Sequence, residues 1–99
     1  MKTDNISIIG INETGQLFIK PEIEHFEYIW RSAAEVHWND KEKYLFSPQP
    51  REWSYLDWYK HVVSVVIDEY GCKLTLTSNT VWINIPIKLR ESISENQYI

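Results

Sequence analysis

PQPREWSYLDWYKHVVSVVIDEYG, running from Pro48 to Gly71, holds one helix with a readable start, buried face and stop. Pro48 and Pro50 impose an extended connector, and Ser54 followed three residues later by Asp57 has the spacing of a capping box, with Asp a shorter partner than the usual Glu. Tyr55, Tyr59, Val62, Val63, Val66, Ile67 and Tyr70 recur at i, i+4, i+7, i+8, i+11, i+12 and i+15. That spacing is a wide apolar stripe, and Gly71 stands where a left-handed residue ends a helix. Burying each Val or Ile of the stripe contributes about 1.5–3 kcal/mol, more than the few tenths that each valine costs in helix propensity. The prediction is one long helix from about Ser54 to Tyr70, laid against a sheet.

The rest of the chain reads as strands. Ile6–Ile11 and Gln16–Lys20 flank the polar tip Asn12-Glu13-Thr14-Gly15 and predict a hairpin that Pro21 closes. Ala33–Trp38 and Lys43–Ser47 alternate on either side of Asn39-Asp40-Lys41-Glu42, a second hairpin. A third is expected from Cys72–Thr77 and Val81–Ile87 across Ser78-Asn79, with Pro86 near an edge. Between Ile23 and Ser32 two periods compete. Ile23, Phe26, Ile29, Trp30, Ala33 and Ala34 suit a helical face, whereas Phe26, Tyr28 and Trp30 alternate as in a strand, the reading adopted here. The tail from Lys88 to Ile99 fits a short helix or a frayed end. The expected fold is a single α+β domain over 1–99: an antiparallel sheet of about five to six short strands in hairpins, packed against one long helix.

At 99 residues the chain buries a modest share of its surface, so a partner chain is a natural source of stability. Its 14% aromatic content, with five Trp and six Tyr, exceeds what so small a core encloses easily and predicts rings at the surface and self-association. A net charge of -4 is the wrong sign for neutralising phosphates, which argues against nucleic acid and for a soluble surface or a basic protein partner. The single Cys72 allows no internal disulfide and reads as a small strand residue in a reducing compartment. The N-terminus is too polar for a signal peptide, and no apolar run approaches membrane-spanning length, so a cytoplasmic protein without a membrane contact is expected.

No motif specifies a reaction. Asp57, His61, Ser64 and Asp68 share one stripe of the long helix, but a triad draws its members from separate elements and needs an oxyanion hole, so a solvated polar face is the better reading. His25, His37 and His61 lack metal-ligand spacing; Glu35 and His37 share a strand face, read as two solvated polar residues. No catalytic residue, metal ligand or cofactor is assigned. Two places break or decorate the pattern. Asp68 and Glu69 put negative charge at the negative end of a helix, an acidic contact point for a basic partner unless Lys73 or another cation pairs with them. Arg51, Trp53 and Trp58 crowd the helix entry, either as core or as an aromatic pocket beside free backbone N–H groups.

The run YLFSPQPREWSYLDWYKHVVSVVIDEYG, Tyr44 to Gly71, with INETGQLFIKP, Ile11 to Pro21, ahead of it, resembles small hypothetical proteins encoded in bacterial integron gene cassettes. The resemblance covers most of the chain, supplies no catalytic residues, and implies a mobile bacterial gene with an accessory role. From the residues themselves the leading function is a non-enzymatic protein-binding module that pairs with itself; the alternative is a small-molecule binder or enzyme at the Arg51, Trp53 and Trp58 entry.

Overall fold

A computed structural model describes residues 1–48 and 53–96. The elements run β1 (Lys2–Ile11), β2 (Leu17–Pro21), a single 3-10 turn (Ile29–Arg31), β3 (His37–Asn39), β4 (Tyr44–Phe46), α1 (Tyr55–Tyr70), β5 (Cys72–Thr75), β6 (Val81–Ile83) and α2 (Ile87–Glu95). The architecture is α+β: a mixed, mostly antiparallel six-stranded sheet with the longer helix packed on one face.

The helix forms as its sequence requires. Ser54 is its N-cap, with φ -63° and ψ 159°, and its side chain accepts from the Asp57 N–H at 3.1 Å. Gly71 closes it in the left-handed region at φ 59°, donating to Ile67 and Val66 carbonyls. Trp58, Tyr59, Val62, Val63 and Val66 are the buried face. They meet Ile6, Ile9, Leu17, Ile19, Leu45, Cys72 and Leu74 from the sheet. Burial pushes the Cys72 thiol pKa up, with Asp4 adding to it, so the residue is an unreactive part of the core.

Strand β1 organises the sheet. Its antiparallel hairpin with β2 pairs Ile9 with Ile19 and Ile11 with Leu17, and β4 and then β3 continue beyond β2. The register slips between Ile6 and Ile8, so Ile6 and Ile9 both face the core. Ser7 fills the irregularity by donating to the Lys20 carbonyl at 2.9 Å.

The third hairpin does not form. Both β5 and β6 pair with β1 and both run parallel to it: Lys2–Asn5 beside Cys72–Thr75, and Ile8–Gly10 beside Val81–Ile83. Alternation looks the same in either pairing, and the Ser78-Asn79 turn makes a detour along one edge instead of a reversal. Thr80 holds that detour: its buried hydroxyl accepts from the Thr77 N–H at 2.9 Å and donates to the Ile6 carbonyl at 2.7 Å.

The strand reading of Ile23 to Ser32 is also corrected. Phe26, Ile29 and Ala33 are buried at helical spacing, and main-chain bonds from Ile29 to Phe26 and from Ala33 to Ile29 bend the segment into turns. Asp4 anchors its start, its carboxylate accepting from the Ile23 and Glu24 N–H groups at 3.1 and 2.8 Å. Ala33 to Val36 likewise stays outside the strand, because Glu35 has φ 62°. After Pro86 the chain forms α2, which packs on α1 through Ile93 and Leu89, so the tail is helical through Glu95.

Candidate functional site

The two helix ends differ. At the entry, Trp58 is fully buried and its indole N–H donates to the Glu35 carbonyl at 2.8 Å, which makes it a core anchor with no surface of its own. Trp53 is half-buried and lies against His61, ring centroids 4.4 Å apart. Arg51 lies outside the described residues. Among the described residues His61 Nε2 is buried without a hydrogen-bond partner, as is Oε2 of Glu35, so the polar stripe expected to be solvated turns partly inward at this turn. Tyr55 fixes the entry to the β1–β2 tip by donating to the Gly15 carbonyl at 2.8 Å.

At the exit, Asp68 and Glu69 are exposed, the last turn of α1 contains no basic residue, and neither carboxylate forms an ion pair among the described residues. Asp68 borders a groove of about 200 Å³ with Lys60, Val63, Ser64, Ile67 and Asn96. The groove exists because α2 comes back along α1, an arrangement the tail sequence did not disclose.

Two apolar surfaces were missed. The first is the face of the sheet turned away from α1. Phe18 pairs with Phe46 and with Gly10, and Gly10 with Ile83, which sets these residues in a row across the strands. Phe18 stacks on Tyr44 at 4.7 Å, and Phe46 lies 5.4 Å from His37. Gly10 is required here, since a Cβ would stand 2.7 Å from the Phe18 ring and 2.9 Å from Ile83 Cβ. Ile8, Tyr44, Phe46, Val81 and Ile83 lie outside the main core, and Phe18 among them is buried at 9% exposure. Val81 and Ile83 are 51% and 38% exposed. An open hollow of about 590 Å³ extends the row toward the β1–β2 tip, walled by Phe18 and Ile83 and rimmed by Asn12, Glu13, Thr14, Gln16 and Asn84.

The second is the 3-10 turn. Buried Phe26 and Ile29 pin it, while Tyr28 and Trp30 are 57% and 58% exposed on either side of the Arg31 guanidinium, 4.7 and 5.2 Å from their centroids. Trp, Tyr and Arg are the residues that dominate binding at protein interfaces. The sequence signal was available: on the helical period, Tyr28 falls between the buried positions Phe26 and Ile29. No group of three or more His, Cys, Asp or Glu among the described residues is placed to hold a metal ion. No described helix is long and apolar enough to cross a membrane.

The comparisons with known proteins give a family and no reaction. No curated protein matches the chain. A solved structure described as "Structure from the mobile metagenome of North West Arm Sewage Outfall: Integron Cassette Protein Hfx_Cass5" is 38% identical, with 100% of this chain and 99% of that chain covered and a TM-score of 0.49. The family model described as Integron Cassette Protein Hfx_Cass5 matches residues 4–80. The chain therefore belongs to the Hfx_Cass5 family of integron cassette proteins.

Proposed function

We propose that this protein is a non-catalytic accessory module of the cytoplasm that works through protein contacts, beginning with a second copy of itself docked on the open face of the sheet. The observation that carries this reading is the continuous row Ile83, Phe18, Phe46 and Tyr44, packed ring on ring and covered by neither helix.

Charge supports a copy of the same chain as the occupant. The residues of that face on β2, β3, β4 and β6 include no carboxylate, so two chains of charge -4 meet there without direct repulsion. An apolar centre within a polar rim is also the anatomy of an interface.

The test is sedimentation equilibrium from micromolar to millimolar protein, on the wild type and on the double variant Val81→Glu, Ile83→Glu. Both side chains are exposed, so the fold should survive, as circular dichroism will report. The wild type is expected to dimerise and the variant to be monomeric. A wild type that stays monomeric throughout, or a variant that dimerises equally well, overturns the reading.

A further inference from the structure

We infer that the groove between α1 and α2 receives a lysine or arginine side chain of a partner protein. Val63 and Ile67 give it an apolar lining, and Ser64, Asp68 and Asn96 supply acceptors. Asp68 offers a carboxylate with no ion pair among the described residues, and Ser64 a hydroxyl. Asn96 donates through Nδ2 to the Ser92 carbonyl at 2.7 Å, which turns its amide into an oriented group with the oxygen left to accept. An apolar trough leading to oxygen acceptors matches a long alkyl stem with a cationic head.

Electrostatics favour the same occupant. The trough runs toward the C-terminal end of α1, where the helix dipole is negative, and Glu69 adds its charge beside Asp68. Lys60 stands two helical turns back, about 12 Å along the axis by the α-helical rise, and forms no ion pair with Asp68 among the described residues. It closes the opposite end to a second cation and so orients the incoming stem.

The cation must arrive attached to something larger. At about 200 Å³ the groove is smaller than the roughly 300–1,000 Å³ of sites that hold free small molecules. It is also partly open to solvent, so a free alkylamine buries too little surface to offset its lost translational freedom. A side chain carried on an interface has that cost met by the other contacts. The inference is independent of dimerisation through the sheet, because groove and sheet face belong to different layers of the fold.

The experiment is a titration of isotope-labelled protein followed by the chemical shifts of its backbone amides. The probes are acetyl-Gly-Gly-Lys-Gly-Gly-amide, its arginine, norleucine and glutamate counterparts, and butylamine. The lysine and arginine peptides are expected to shift Val63, Ser64, Ile67, Asp68 and Asn96, with saturation approached at around 10 mM. Norleucine and Asp68→Asn should each weaken the response about fivefold, which corresponds to about 1 kcal/mol, and glutamate should give none. Equal response to lysine and norleucine, equal affinity for butylamine and the lysine peptide, or no localised shift overturns the inference. Asp68→Asn should leave sedimentation unchanged, which separates a failure here from a failure of the sheet-face reading.

Discussion

The Trp58 indole N–H donates at 2.8 Å to the main-chain carbonyl of Glu35, a residue held at φ 62°. The first turn of α1 is thereby tied to the segment that enters β3. Replacing Trp58 with Phe removes the donor and leaves a gap, at an expected cost of about 2–4 kcal/mol. Glu35→Gly should be neutral or stabilising by up to ~1 kcal/mol, since glycine accepts the left-handed conformation and the variant deletes the unpartnered buried Oε2. Urea denaturation of both variants checks this pair; a Glu35→Gly loss above about 1 kcal/mol would mean that the carboxylate is an anchor.

Tyr59 is wholly buried and its hydroxyl has no partner among the described residues. Burial raises its pKa from 10.0 to about 12. The unfolded chain therefore ionises first: the contribution of the neutral phenol to stability is complete below pH 10 and lost as pH rises through about 12. Tyr59→Phe should match or exceed wild-type stability at neutral pH by up to ~1 kcal/mol and lose less of it in alkali. Thermal unfolding of both proteins across that pH range will show the crossover or its absence.

Thr80 joins the two parallel segments to β1 through one hydroxyl, bonded to Thr77 and to Ile6. Thr80→Val keeps the shape and strands both partners, with an expected loss of about 1–3 kcal/mol; Thr80→Ser should retain most of the stability. Hydrogen exchange at Val81–Ile83 should accelerate in the valine variant. Unchanged exchange there would show that the detour is held by its backbone alone.

Asp68 and Glu69 sit at the negative end of the α1 dipole. Glu69→Lys is expected to stabilise the protein by about 0.3–1 kcal/mol at low salt, the gain shrinking as salt rises. A destabilised variant would reveal that Glu69 already has a favourable role in the fold.

The long helix was legible because its signals are local: a Ser54 cap, a stripe from Tyr55 to Tyr70, and a glycine at the stop. The first two hairpins were legible for the same reason, each with a short polar turn between alternating runs. The partnering of Cys72–Thr75 and Val81–Ile83 was not, because alternation reports which side chains face the core and is silent about which strand lies alongside. Two competing periods hid the Ile23 to Ser32 turns, and the free N–H groups of the helix entry drew attention to Trp58, which is core, and away from Trp30, which is exposed. Charge against the dipole marked Asp68 from sequence, but the groove beside it needs α2, which only packing reveals.

Strand β1 comes first in the chain, yet its parallel neighbours begin roughly 70 residues later, from the pairing of Lys2 with Cys72. During synthesis one edge of that strand must wait, its backbone groups open, until nearly everything else has emerged. The wait exposes Ile6 to Ile11, the most aggregation-prone run of the sheet, for longer than any other strand. The first strand made is thus the last to have both its edges paired.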